Sequence, residues 1–251
     1  MLLIRSLLFN IAFYLATILL GAACALTMPF PRKYVMAVSA LWGRVCIRLF
    51  TLLVGGTYEV RGLENLAPDQ SLIIAAKHMS VFETFALLTV VKDPLFIVKR
   101  ELLWLPLFGW ALAKGGMIAI NRGARSKALR SMLERAKQRL AQNRRQLIIF
   151  PEGTRRPLDV EPEYKFGISH IYKVLKVPCN PVALNTGLFW PRRSFRRYPG
   201  KIIIEILPTI EPGLPQDVFF EKISTAIEQN SNRLIAEARS QAPHLPPRKN
   251  T

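Results

Sequence analysis

The chain has 251 residues, half of them hydrophobic, and a formal net charge of +18. That length holds one α/β domain with a real core plus an appendage, and a composition both apolar and strongly basic points to a protein held on an anionic surface. Nucleic acid is set aside as the partner because no zinc-finger, RNP or basic-zipper pattern occurs, and three widely spaced cysteines, Cys24, Cys46 and Cys179, argue against a disulfide framework and a structural zinc site.

The first acidic residue is Glu59. Residues 6–28 are uncharged and exceed the roughly 20 residues a helix needs to span a bilayer. "PFPRK" at 29–33 breaks that run. A second apolar run, 34–55, carries Arg44 and Arg48 on one helical face. This suits an amphipathic helix lying in the interface with snorkelling arginines better than a second clean span. A cleaved signal peptide is the alternative, since Ala23-Cys24-Ala25 resembles a processing site. The preferred reading is a membrane-anchoring pair of hydrophobic helices over 1–56, spanning or monotopic.

From Thr57 onward, short apolar runs alternate with helical patterns, which predicts a mixed α/β sheet flanked by helices over 57–242. Strands are expected at 57–62 and 71–77, a helix at 81–92, and a strand at 95–99. A short apolar helix over 104–114 stops at Gly115-Gly116, and a strand follows at 117–121. Residues 124–143 form the clearest helix, with Leu129, Met132, Leu133, Ala136 and Leu140 as its inner stripe. A strand at 146–150, a helix at 165–176, strands at 180–185 and 201–207, and a closing helix at 217–239 complete the domain. Residues 243–251 read as a flexible tail.

Two stretches concentrate chemistry. In "AAKHMSVFETF", 75–85, His78 follows an apolar strand and precedes a helix, where sites gather in α/β folds. Ser80-Val81-Phe82-Glu83 is an S-x-x-E capping box. Glu83 lies five residues beyond His78, which on a continuous helix turns it about 140° away. If Ser80 caps the helix, the turn instead folds the acid back toward the imidazole. Its two oxygens then serve cap and ring together. In "IFPEGTRR", 149–156, Pro151 stiffens a strand exit and Gly153 permits a left-handed backbone. Thr154 offers a hydroxyl and Arg155 a planar fork suited to phosphate. Arg122 and Gly123 end another strand in "GGMIAINRG". The three histidines, His78, His170 and His244, have no metal-ligand spacing, so no metal is expected.

Together, "HMSVFE", "GMIAINR", "FPEGTR" and "VPCNPVA" resemble, in content and order, the four blocks of the 1-acylglycerol-3-phosphate O-acyltransferase (glycerolipid acyltransferase) family. The resemblance covers roughly 57–210. It implies a glycerolipid acyltransferase fold and transfer of a fatty acyl group from acyl-CoA or acyl-carrier protein to the free hydroxyl of 1-acylglycerol-3-phosphate, giving phosphatidic acid. It implies His78 as general base, Glu83 as its orienter, and Arg122, Glu152, Gly153, Thr154 and Arg155 around the acceptor's phosphate. No cofactor is implied beyond the acyl donor. The expected partners are membrane lipids, especially anionic ones, a lysophospholipid acceptor and the donor. The expected place is a bacterial inner membrane with the site facing the cytoplasm.

Two residues depart from the family pattern. The acid is Glu83 where the family usually carries Asp, and Lys77 stands where Asn is common. Lyso-ornithine lipid, another lysophospholipid or glycerol-3-phosphate is the alternative acceptor, and a non-enzymatic membrane scaffold is the reading from a different class. The cluster Arg192, Arg193, Arg196 and Arg197 is a further candidate for contact with headgroups or an acidic carrier protein.

Overall fold

The computed structural model describes residues 1–67, 69–121, 125–242 and 245. Arg122 and Gly123, together with His244 and almost all of the expected tail, lie outside the described residues. The strands are β1 (Thr57–Arg61), β2 (Leu72–Ala76), β3 (Pro94–Lys99), β4 (Ile118–Ile120), β5 (Gln146–Ile149), β6 (Cys179–Leu184) and β7 (Lys201–Ile206). The helices are α1 (Leu2–Leu26), α2 (Arg32–Leu49), α3 (Phe82–Val90), α4 (Phe108–Lys114), α5 (Arg125–Asn143), α6 (Gly167–Leu175), α7 (Thr186–Phe189) and α8 (Gln216–Gln241).

Among the described residues the strands form one sheet in the order β1-β7-β6-β2-β5-β3-β4. β6, β2, β5, β3 and β4 run parallel. β7 is antiparallel to β6, and β1 is parallel to β7. β2 sits in the middle, and every one of its residues is buried, as a strand covered on both faces requires. Its alternate residues serve two cores. Leu72, Ile74 and Ala76 join the cluster under α1, α2 and α3. Ile73 and Ala75 join the one built with Met132, Leu133, Tyr172, Phe219 and Ile227 of α5, α6 and α8. The parallel order puts the C-terminal ends of β2, β5 and β6 side by side, so the loops after them meet at one edge.

The expected apolar helix at 104–114 is shorter than the sequence suggests. A 3-10 turn occupies Arg100–Trp104 and α4 begins only at Phe108. Pro106 and a positive φ of 63° at Leu107 interrupt it, since neither continues a right-handed helix.

The N-terminal helices lie along the domain. α1 and the stretch Arg32–Val54 are each long and apolar enough to cross a membrane by length and composition. The inner stripe of α1 is nonetheless part of the core. Phe9 and Phe13 meet Trp190 edge-on at 5.0 and 5.1 Å, and Phe50 meets Phe82 of α3 at 5.7 Å. Such aromatic pairs contribute about 0.5–1.5 kcal/mol each beyond the area they bury. α2 packs on α3 at Gly43, where a Cβ would stand 2.6 Å from the Phe85 carbonyl oxygen. At its start, Arg32 Nη2 lies 2.5 Å from Asp93 Oδ1. Asp93 also receives Arg145, whose guanidinium is buried and donates to the carbonyls of Pro94 and Gly115 at 2.8 and 3.1 Å. Burial lowers the Arg145 pKa to about 10. Arg44 and Arg48 remain exposed on the outer face of α2.

Candidate active site

The loop 77–81 leaves the buried end of β2, and α3 starts at once. Glu83, in the first turn of α3, is 0 % exposed. Its Oε1 accepts the backbone N–H groups of Met79 and Ser80 at 2.8 and 2.7 Å. The same oxygen lies 2.8 Å from His78 Nδ1. The Thr186 hydroxyl, just after β6, donates to Oε2 at 2.8 Å. An oxygen already accepting two backbone donors faces the ring as an acceptor, which puts the ring proton on Nδ1 and leaves Nε2 as the basic nitrogen. The imidazole stacks on Phe150, rings 4.0 Å apart and 15° from parallel. It keeps 16 % of its surface exposed. A ring held on one nitrogen and open at the other can take a proton from a bound hydroxyl.

The capping box forms in part. Glu83 reaches back to the Ser80 N–H as expected, but the Ser80 hydroxyl accepts from Phe82 N–H at 3.2 Å. Glu83 therefore closes the turn that precedes α3 and orients the ring with one oxygen, while α3 itself follows its N-cap Val81 without a side-chain cap.

The "FPEGTR" loop follows β5 and lies against His78. The Arg156 N–H donates to the His78 carbonyl at 2.8 Å. Glu152, expected around the acceptor's phosphate, faces the histidine loop instead of solvent. Its carboxylate is buried, and Oε2 accepts the His78 backbone N–H at 2.8 Å. An anion turned into the fold repels a phosphate rather than holding one, so Glu152 positions the histidine backbone. Gly153 adopts φ +67°, with nothing within 4 Å of where a Cβ would stand. Its left-handed backbone turns Thr154 and Arg155 outward, and both are exposed. The Arg155 carbonyl accepts from Arg192 Nη1 at 2.5 Å, bringing a second guanidinium to this loop. Arg197, counted with the basic cluster from sequence, is instead buried, its guanidinium 4.7 Å from the Trp190 ring centre. Desolvation lowers its pKa to about 10.

Sequence reasoning missed several partners. Lys77 stood out only as a departure from the family pattern. Its ammonium is buried between Glu228 of α8, which it contacts directly, and Glu152 Oε1 at 3.5 Å. The Tyr164 hydroxyl donates to the same Glu228 oxygen at 2.8 Å. Desolvation pushes the Glu152 carboxyl up, opposed first by the Lys77 charge and then by the His78 N–H. Glu228 and Thr186 carried no local signal, and Phe150 was visible only as the first letter of "FPEGTR", with no sign that it stacks on His78.

A carboxyl whose folded-state pKa lies above its unfolded one binds a proton preferentially in the folded state. Its contribution to stability therefore falls as pH rises through that window. Lys77→Met removes the charge that restrains this rise. The variant is expected to lose about 3 kcal/mol near neutral pH and clearly less at about pH 5. Urea unfolding at the two pH values checks this, and a deficit independent of pH would count against the Lys77–Glu152 coupling.

Comparison with known proteins gives a consistent result. The family model for acyltransferases matches residues 57–185, just over half of the chain. A 1-acyl-sn-glycerol-3-phosphate acyltransferase from Pseudomonas aeruginosa is 37% identical over 183 residues, 73% of this chain and 70% of that one. The 1-acyl-sn-glycerol-3-phosphate acyltransferase alpha of Homo sapiens is 30% identical over 215 residues, 84% of this chain and 75% of that one. Among solved structures, the crystal structure of the 1-acyl-sn-glycerophosphate (LPA) acyltransferase PlsC from Thermotoga maritima superposes with a TM-score of 0.78 at 26% identity, covering 93% of this chain and 98% of that one. On the family match and on relatives of this identity over most of its length, the chain belongs to the acyltransferase family.

Proposed function

We propose that the protein is a membrane-associated O-acyltransferase that acylates the free hydroxyl of 1-acylglycerol-3-phosphate to give phosphatidic acid. The observation that carries this reading is the His78–Glu83 pair, 2.8 Å apart at the open edge of the sheet beside the "FPEGTR" loop. The relatives' names supply the acceptor. In the reaction, His78 Nε2 takes the proton as the acceptor oxygen attacks the thioester carbonyl. The carbon–sulfur bond breaks, and the imidazolium returns the proton to the departing thiolate of coenzyme A or carrier protein. Glu83 stabilises the imidazolium in between. General-base help of this kind contributes ~10²–10⁴ in rate. No metal or cofactor enters the scheme.

Thr154 and Arg155 supply outward donors for the acceptor's phosphomonoester, with Arg122 as a further guanidinium on the same reading. A lipid acceptor and the exposed apolar residues of α1 and α2 support a place on a membrane surface. The cationic surface suits anionic headgroups, at a bacterial inner membrane with the site on the cytoplasmic side.

Arg155→Ala is expected to raise the acceptor KM about tenfold or more, the loss of a charged hydrogen-bond pair, with little change for the donor. Initial rates with each substrate varied in turn separate the two, and an equal loss for both would argue against phosphate binding. Running the parent enzyme with one labelled thioester against 1-acylglycerol-3-phosphate, glycerol-3-phosphate, lysophospholipids and lyso-ornithine lipid tests the acceptor. Preference for any of the last three would overturn the assignment, while leaving the chemistry intact.

A further inference from the structure

The segment between β3 and β4 is built against the usual rules for a soluble surface. Leu107 holds φ 63° and ψ −56°, and the Phe108 N–H bonds back to the Pro106 carbonyl at 2.7 Å. This is a γ-turn with a positive central φ, a rare and strained form. Strain of this kind persists only where surrounding contacts enforce it. Here the Leu107 side chain is seated on α1, 3.4 Å from the point where a Cβ on Gly21 would stand. The turn throws four large apolar side chains outward. Trp104 is 71% exposed, Leu105 48%, Phe108 38% and Trp110 52%.

These four side chains are continuous with a larger surface. α4 packs on α1 and α2, and α1 exposes Ile4, Leu8, Ile11, Leu15 and Ile18 along one stripe. The flanking charges are mainly cationic. Lys99 precedes the segment and Arg100 opens it, both exposed; Lys114 closes its helix, and Glu101 is the acid between them. A contiguous apolar patch with tryptophans at its margin and a cationic rim matches the boundary between acyl chains and anionic headgroups. The segment also leaves the C-terminal end of β3, on the same sheet edge as His78.

We propose that the elbow 100–114 is a third membrane-contact element, inserting Trp104, Leu105, Phe108 and Trp110 into the leaflet beside α1 and α2. The strained turn at Leu107 fixes its insertion angle. The elbow then presents the His78 edge of the sheet to the headgroup layer, where a lipid acceptor lies. This rests on the membrane reading above for its setting, but not on the catalytic assignment.

The test uses the full chain and vesicles of phosphatidylcholine with phosphatidylglycerol, whose acyl chains carry bromine at a shallow or a deep position. The chain has four tryptophans, Trp42, Trp104, Trp110 and Trp190. Parent emission is expected to be quenched more strongly by the shallow bromine, and that share of the quenching should vanish in the W104F/W110F double variant. W104E/W110E is expected to bind the vesicles about tenfold more weakly, with unchanged turnover of micellar substrate. Binding without quenching of these two residues, or binding unchanged in W104E/W110E, overturns the proposal and leaves the membrane reading standing. No binding by the parent overturns both. Self-association lost in W104E/W110E, without lipid quenching, would assign the patch to a second copy of the chain and overturn it as well.

Discussion

His78→Ala is expected to abolish acyl transfer, lowering turnover about a thousandfold, while the protein stays folded. The ring is a small part of what holds its loop. Without it, Glu83 still accepts from Met79, Ser80 and Thr186, and Glu152 still accepts the backbone N–H at position 78. What disappears is the basic nitrogen and the stack on Phe150. Thiol release from an acyl thioester by purified variant, with a thermal melt beside it, measures both. Near-normal turnover would remove His78 from the mechanism.

Glu83→Ala is expected to have the larger effect on stability. The carboxylate is wholly enclosed, and four donors converge on it. Truncation leaves two backbone N–H groups, an imidazole and a hydroxyl without their acceptor, and each unmet buried donor costs about 1–3 kcal/mol. A loss of about 3–5 kcal/mol follows, together with loss of transfer. Glu83→Asp keeps the charge but draws it back by about one bond length, ~1.5 Å. It should fall between parent and alanine variant in stability and retain substantial activity. Denaturant unfolding of the three proteins ranks them. An alanine variant as stable as the parent would show that the loop satisfies its donors elsewhere.

What the sequence disclosed and what it concealed divide along chain distance. His78 and Glu83 are five residues apart, and the capping pattern alone showed how one could reach the other. The strands and helices were legible for the same reason, because apolar period is local. Lys77 was opaque, since Glu152 and Glu228 come to it from the distant loop after β5 and from α8. The direction of Glu152 was not legible either, because a motif gives residue types without their direction, and here the acid points inward while Thr154 and Arg155 are exposed. Arg197 sits in a run of arginines that all look solvated, and only the fold shows which one covers Trp190. The break at Leu107 had one local sign, Pro106, set in an apolar pattern that otherwise runs through it.

The seating of Phe9 and Phe13 against Trp190, one shell behind Phe82 and Glu83, bears on how such an enzyme can be handled. Trimming α1 to obtain a water-soluble catalytic unit would uncover the aromatic floor beneath the histidine loop. It would also strip the Ser6 and Asn10 contacts from the segment 195–197. The two apolar helices and the α/β domain share one core, so a chain shortened at α1 is expected to lose stability along with apolar surface.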